Sequence, residues 1–181
     1  MSKRVHEAPG GHIPGPGIVV RTAIPGDLGI VSSRHMEFYG REYGFDLSFE
    51  TYLFEGMTRF LKNRERGLGQ AWVAERSGNI LGSIAIDHSD EDTGQLRWFL
   101  VEPECRGAGL GIRLMKEAMD FCASRPYRRV FLWTFSDLLA ARPIYGKAGF
   151  SLAEEVRHVI WGRDLTEEMW EIFLHDAQAR L

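Results

Sequence analysis

Apolar and polar positions alternate along the chain with two different periods. Short apolar runs typical of strands occur at IVVRTA, AWVAER, ILGSIAI, LRWFLV and RVFLWTF. Between several of these runs lie longer segments whose apolar residues recur at helical spacing. The first of these helices is predicted to begin near Leu28, after a turn and N-cap at residues 25–27. Gly40 and Gly44 are expected to break it.

A second helix is predicted from about Ser48 to Lys62, with Ser48 as its N-cap. Its expected apolar face consists of Phe49, Leu53, Phe54, Met57, Phe60 and Leu61. After this helix, AWVAER and ILGSIAI are separated by the residues 77–79, Ser-Gly-Asn, which are typical of a hairpin turn. The strand LRWFLV, a helix, the strand RVFLWTF and another helix are then expected in that order.

The end of the chain is predicted to form two short strands, around Ser151 to Glu155 and Arg157 to Trp161, followed by a C-terminal helix from Thr166. Strands that alternate with helices, with hairpins at the sides, indicate an α/β domain with a mixed sheet covered on both faces. A chain of 181 residues fits one hydrophobic core, so residues 18–181 are expected to be a single domain.

Residues 1–17 are rich in Gly, Pro and His and have no apolar period, which predicts a flexible N-terminal tail. The N-terminus lacks the apolar stretch of a signal peptide, and no apolar run approaches the roughly 20 residues that span a bilayer. The sequence therefore predicts a cytoplasmic protein without a membrane partner.

Charge and composition exclude further function classes. The formal net charge is -3 and no basic stripe is present, so nucleic acid is not an expected partner. The two cysteines, Cys105 and Cys122, belong to no CxxC motif or Cys/His cluster. His6 and His12 are isolated within the predicted tail, and no metal site is expected.

The most informative segment is a glycine-rich turn between a strand that ends at Val101 and a helix whose apolar residues recur at helical spacing. The turn consists of Arg106, Gly107, Ala108, Gly109, Leu110 and Gly111. Its glycines let a ligand approach the backbone, and the free N–H groups and dipole of the new helix attract an anion. This combination predicts a phosphate site. Arg106 either adds positive charge to this site or braces the turn.

The turn differs from other glycine-rich phosphate-binding turns in its spacing. A dinucleotide-binding turn would need glycine at position 112, where the chain has Ile112. A Walker loop would need Gly-Lys-Ser/Thr, which the turn lacks. A tight turn without any ligand is the remaining alternative.

These residues resemble the GNAT superfamily of acyl-CoA N-acyltransferases. Arg106, Gly109 and Gly111 match its Arg/Gln-x-x-Gly-x-Gly/Ala signature, and Tyr145 with the Gly149–Phe150 turn matches a later part of the family pattern. The resemblance covers about residues 95–150, and the order of elements agrees from residue 18 onward. More narrowly, HMEFYGREYGFD and WGRDLTEEMW look like the acetyltransferase domain of bacterial MarR/GNAT fusion proteins, from which no DNA-binding role is carried over.

The resemblance implies a twisted, mostly antiparallel mixed sheet of six to seven strands and acetyl-CoA as the cosubstrate. It assigns the pantetheine arm to the backbone of Phe99, Leu100 and Val101, and the pyrophosphate to the turn from Arg106 to Gly111. An amine would then attack the thioester directly in a ternary complex. The acceptor is a small amine or a protein amino group, and a homodimer is left open.

Tyr145 is the proton donor that the resemblance implies for the leaving thiolate, because a phenol with a pKa near 10 stays protonated at neutral pH. The alternative is that Tyr145 only packs its helix onto the sheet. Pro143 is expected inside that helix, where it would remove a hydrogen bond and kink the chain.

The general base is left open by the sequence. The candidates are Glu42, Tyr43, Asp87 and His88, together with Gln95 acting through water. Glu102, beside the turn, is expected to point to solvent. The function predicted from all these observations is acetyl transfer to a primary amine. Its alternative is a non-catalytic acyl-CoA-binding sensor.

Overall fold

A computed structural model describes residues 17–174, so nearly all of the predicted N-terminal tail lies outside the described part. The elements in chain order are β1 Val19–Thr22, α1 Asp27–Tyr43, α2 Leu47–Glu65, β2 Gln70–Arg76, β3 Asn79–Asp90, β4 Thr93–Val101, α3 Leu110–Ala123, β5 Arg129–Phe135, α4 Arg142–Lys147, β6 Ser151–Ile160 and β7 Arg163–Phe173. A short 3₁₀ turn, Pro103–Cys105, follows β4.

The seven strands form one sheet in the order β1-β2-β3-β4-β5-β7-β6. All neighbouring strands are antiparallel except β4 and β5, which are parallel. The connection between these two strands is made by α3, as expected for a parallel crossover. The predicted mixed, mostly antiparallel sheet of six to seven strands is therefore confirmed.

Each face of the sheet has its own hydrophobic core, because successive residues of a strand point to opposite faces. In β2, Trp72 and Ala74 pack with residues of α3 and α4, whereas Ala71 and Val73 pack with residues of α1 and α2. The prediction of helices on both faces is confirmed.

The first two helices differ in detail from the sequence prediction. Helix α1 continues through Gly40 and ends at Tyr43, with Gly44 as its C-cap. Helix α2 is capped by Asp46, whose carboxylate accepts the backbone N–H of Ser48, so the prediction of Ser48 as N-cap is wrong. Of the expected apolar face of α2, residues 54 and 61 are exposed and the other four are buried.

The largest difference from the sequence prediction is at the end of the chain. The two short strands predicted there are one strand, β6, and the predicted helix from Thr166 is the strand β7. Trp161 and Gly162 form the turn between β6 and β7, both with positive φ. The sequence TEEMWE favours a helix locally, but β7 pairs along Arg129–Phe135 with β5 and on its other side with β6. Tertiary pairing overrides the local preference.

Within residues 17–174, no helix is both long enough and apolar enough to cross a membrane. Over the same range, no group of three or more His, Cys, Asp and Glu side chains is arranged to hold a metal ion. Cys105 and Cys122 are buried free thiols.

Candidate active site

A cleft opens where the two parallel strands separate. Strands β4 and β5 pair only from Thr93–Gln95 to Arg129–Phe131, although both strands continue beyond these residues. The cavity between the diverging ends has a volume of about 600 Å³. Its walls include the glycine-rich turn, the last residues of β4, the end of β5 and residues of α1, α2 and α4.

The glycine-rich turn forms the entrance to α3. Gly107 and Gly109 have φ angles of 75° and 79°, which favour glycine, and Gly109 is the N-cap of α3. Arg113 donates its N–H to the carbonyl of Gly109, so the N–H groups of the three helical residues before it have no acceptor within the helix. No side chain in the described part of the chain caps them.

Open space lies beside the first two glycines of the turn. A Cβ atom added to Gly107 or Gly109 would meet no heavy atom within 4 Å. At Gly111, by contrast, a Cβ atom would lie 2.9 Å from Cδ1 of Ile144 and 3.2 Å from Cζ of Phe99. The first two glycines thus leave room for a ligand, whereas the third lets α3 pack against β4 and α4.

Arg106 braces this turn. Its Nε–H donates to the carbonyl of Val101 at 3.0 Å, and its guanidinium lies 5.0 Å above the ring of Phe38. The side chain is exposed, so the remaining N–H groups of the guanidinium face solvent. Both roles expected from the sequence, bracing and added charge, are compatible with this geometry.

Strand β4 contains a bulge beside the cleft. Trp98 has a positive φ of 49°, and the register with β3 shifts between Ser83 and Ala85. The Ser83 hydroxyl donates to the carbonyl of Trp98 at 2.7 Å and holds the bulge in place. Beyond it, residues 99–101 line the cleft, and their edge toward β5 has no strand partner in the described chain.

Tyr145 lines the same cavity from α4 and is only 5% exposed. Its ring packs beside Phe99, Phe150 and Trp170, with centroid distances of 6.0 to 6.3 Å. Burial raises the pKa of Tyr145 above its usual value, so the phenol stays protonated at neutral pH. The structure thus places the predicted Tyr145 and the predicted glycine-rich turn around one cavity.

Helix α4 is held by an ion pair with a buried carboxylate on β7. Pro143 lies in the first turn of α4, where its missing N–H costs no helical hydrogen bond, so the expected kink is wrong. Arg142 pairs with Glu168 on β7, and Trp170 donates its indole N–H to the same carboxylate at 2.9 Å. Glu168 is completely buried, and its partners fix α4, which carries Tyr145, against the sheet.

Much of the cleft wall is aromatic. The rings that line it belong to α1, α2 and the loop between them, and to the β5 side of the cleft. They are Phe38, Tyr39, Tyr43, Phe45, Phe49, Tyr52, Phe135 and Trp161. His35 also lines the cavity and is 3% exposed. Its Nδ1–H donates to the carbonyl of Val31 at 2.8 Å, and its buried Nε2 has no partner among the described residues. Burial lowers the pKa of His35 to about 4.

Among residues 17–174, two carboxylates line the cleft, Asp137 and Glu167. Asp137 is exposed. The side chain of Glu167 is only 16% exposed, and its Oε2 lies 2.7 Å from Nε2 of His158. Glu167 pairs with Phe135 across β5 and β7, which places both residues on the face covered by α1 and α2.

Most base candidates chosen from the sequence lie away from the cavity. Asp87 is completely buried and accepts hydrogen bonds from Arg59 and Asn63, so it is a structural carboxylate. Glu42 is exposed and pairs with Arg41, and His88 does not line the cleft. Tyr43 and Gln95 do line it.

Glu102, expected to point to solvent, is instead only 19% exposed, with Arg34 at 3.6 Å. Burial raises its pKa.

Sequence reasoning missed Glu167 because the segment that carries it was assigned to a helix. It also missed Arg97, which lines the cavity from β4. The signal for Arg97 was present: it is the basic residue within LRWFLV, an otherwise apolar run.

Comparison with known proteins points to one family. Residues 34–150, more than half of the chain, match the sequence profile of the acetyltransferase (GNAT) family. An uncharacterised N-acetyltransferase of Schizosaccharomyces pombe is 29% identical over 123 residues, which are 66% of this chain and 74% of that protein. N-acetylaspartate synthetase of Xenopus tropicalis is 30% identical over 90 residues, which are 49% of this chain. The match spans only 33% of that relative's length.

Among solved structures, a protein of Salmonella typhimurium with its cofactor acetyl-CoA superposes with a TM-score of 0.71. The match covers 90% of this chain and 97% of that protein at 16% identity. The likeness therefore concerns the fold.

Proposed function

The chain belongs to the acetyltransferase (GNAT) family, and we propose that it transfers the acetyl group of acetyl-CoA to a primary amine. One observation carries the proposal. A single cavity of about 600 Å³ adjoins the glycine-rich turn, a strand edge without a partner in the described chain, a buried tyrosine and a wall of aromatic rings. Such a cavity has room for a cofactor at one end and an acceptor at the other.

The residues around the glycine-rich turn fit the cofactor. The free N–H groups at the start of α3 and the space beside Gly107 and Gly109 suit a pyrophosphate. The backbone edge of residues 99–101 is free to hydrogen-bond the amide groups of a pantetheine arm. When bound, acetyl-CoA supplies a thioester acetyl group and a thiolate leaving group.

Tyr145 is proposed to donate the proton that the leaving thiolate needs. Its phenol lines the cavity, is buried and stays protonated at neutral pH, as a general acid requires. The Arg142–Glu168 pair acts indirectly, as a positioning contact, because it holds the helix that carries Tyr145.

Glu167 is proposed to face the ammonium group of the acceptor. It is the less exposed of the two carboxylates that line the cleft, and His158 lies within ion-pairing distance of it. A carboxylate in this place attracts the ammonium form and can accept its proton before attack.

The acceptor is proposed to be a small amine or a protein amino group. The relative named N-acetylaspartate synthetase supports the first of these, since its product is an acetylated amino acid. The narrower likeness to MarR/GNAT fusion proteins, a cytoplasmic location and a homodimer stay predictions of the sequence.

The decisive experiment measures thiol release from acetyl-CoA in the presence of a library of primary amines. Release that depends on both acetyl-CoA and an amine, with formation of the N-acetyl product, is the expected result. Tight acetyl-CoA binding without turnover on any amine would contradict the proposal and favour a non-catalytic acyl-CoA sensor.

A further inference from the structure

We propose that the acceptor carries a carboxylate near its amine and that Arg97 binds this carboxylate. The inference rests on the proposed function, because it names the acceptor class of the same cavity. Arg97 lines the cleft from β4 and is 8% exposed. It is a specificity-determining residue in this proposal.

Arg97 is the only buried arginine among residues 17–174, and it has no anionic partner there. Arg59 pairs with Asp87, Arg129 with Glu171 and Arg142 with Glu168. No carboxylate oxygen within residues 17–174 lies within 4 Å of the Arg97 guanidinium, which instead lies 5.3 Å from the ring centre of Tyr52 and 5.2 Å from that of Trp98.

The rings of Tyr52 and Trp98 only partly compensate for burying the positive charge of Arg97. An aromatic face attracts a cation, but burying a guanidinium without an anion remains costly. The guanidinium also presents five N–H donors in a planar fork that matches a carboxylate. A cavity wall with such a group is complementary to an anion that arrives with the ligand.

Helix α2 is shaped to admit Arg97. Gly56 is a buried glycine inside α2, a position where glycine is unfavourable for helix stability. A Cβ atom there would lie 2.5 Å from Nη2 and 3.0 Å from Cζ of Arg97. The helix therefore lacks a side chain at the place where the guanidinium lies, so two separate elements build the Arg97 site.

The bulge in β4 places this side chain on the face of the sheet that α1 and α2 cover. Arg97 and Trp98 both face α2, whereas a regular strand would send them to opposite faces. Glu167 lines the same cavity from β7, on the other side of the split. An amine that also carries a carboxylate thus meets an arginine on one wall and a glutamate on the other.

The test compares each amino acid with the amine formed by its decarboxylation. Suitable pairs are L-phenylalanine with phenethylamine, L-tryptophan with tryptamine, L-leucine with isoamylamine and L-lysine with cadaverine. The members of a pair share the same side chain and differ by the carboxylate, so the effect of side-chain fit largely cancels in the ratio of their kcat/KM values. We expect the carboxylate member of the best pair to have a kcat/KM at least about tenfold higher.

Variants then assign this preference to Arg97. Arg97→Gln should reduce the ratio of kcat/KM values within a pair to about one, and Arg97→Lys should restore part of it. Gly56→Ala keeps the charge but pushes against the guanidinium, so it should also lower the ratio. Gly29→Ala is the matched control, because a Cβ atom in α1 at Gly29 meets nothing within 4 Å, and it should leave the ratio unchanged.

Equal use of both members by the wild-type protein, or an unchanged ratio in folded Arg97→Gln and Gly56→Ala variants, would overturn the proposal. Thermal melting shows whether each variant is folded. If no member of any pair releases thiol, calorimetry tests the site alone, and the proposed function fails only if the wider amine library also gives no turnover. The Arg97 site would be supported if the protein with coenzyme A binds L-phenylalanine saturably but does not bind phenethylamine, and if Arg97→Gln loses this binding. Binding of neither would overturn it.

Discussion

Tyr145 has a hydroxyl group and a packing ring whose contributions can be separated by one substitution. Tyr145→Phe keeps the ring against Phe99, Phe150 and Trp170 but removes the proposed proton donor. We expect acetyl transfer in a single turnover to slow by at least about a hundredfold, or about 2.7 kcal/mol, with acetyl-CoA affinity nearly unchanged.

Tyr127→Phe is the control for this substitution. The Tyr127 hydroxyl donates to the carbonyl of Leu68 at 3.0 Å and does not line the cleft. Its loss should lower stability by about 1 kcal/mol without slowing transfer. Wild-type chemistry in folded Tyr145→Phe would show that another group or water protonates the thiolate.

His35 makes stability depend on pH in a defined direction. Burial lowers its folded pKa to about 4, whereas an unfolded histidine has a pKa of about 6.5. The unfolded chain therefore binds the proton more readily, so stability is fully present above pH 6.5 and is lost as pH falls toward 4. The expected slope approaches about 1.4 kcal/mol per pH unit within that window.

Denaturant unfolding of the wild type and of His35→Gln at several pH values measures this contribution. Glutamine stays neutral, so the variant should have a shallower loss of stability between pH 6.5 and 4. Equal slopes in the two proteins would mean that the pKa of His35 in the folded state is not lowered.

At the level of the elements, the glycine-rich turn and its helix can be tested with a matched pair of substitutions. Gly109 and Gly78 have nearly the same positive φ, and a Cβ atom at either position meets nothing within 4 Å. Valine should therefore strain the backbone similarly at both sites. Only Gly109→Val places a side chain where phosphate would meet the backbone.

We expect Gly109→Val to abolish acetyl-CoA binding in calorimetric titration and Gly78→Val, in the β2–β3 turn, to leave it intact. Both variants should lose similar stability. Unchanged acetyl-CoA affinity in folded Gly109→Val would show that the turn is only structural.

The elements that the sequence predicted well are those with a strong local signal. The strand, turn and helix around residues 101–110 follow from an apolar run, closely spaced glycines and helical periodicity, and the structure has all three. Strand β7 was missed because its pairing with β5 and β6 is not encoded in the local sequence. Arg97 and Glu167 line the same cavity because of the bulge and the sheet order, which periodicity does not reveal.

At the scale of the whole molecule, the strand pairing between the two parts of the sheet is short. Strands β1–β4 and β5–β7 meet in only three residue pairs, Thr93–Gln95 with Arg129–Phe131. Helices α3 and α4 add contacts on one face, and rings of α1 and of the α1–α2 loop contact Phe135 and Trp161 on the other. A ligand in the cleft would contact both sides of the split, since β4, β5 and α4 all line it.

Acetyl-CoA should therefore protect the diverging strand ends against hydrogen exchange more than it protects β1–β3. Binding at a hundredfold excess over Kd stabilises the folded state by about 2.7 kcal/mol. Local opening at the split should be suppressed most, because the ligand bridges it. Amides of residues 99–101, of the end of β5 and of α4 are expected to exchange more slowly, with no such effect in Gly109→Val. Protection confined to the start of α3 would mean that the ligand occupies the turn without bridging the cleft, and the ternary complex would then have to form elsewhere.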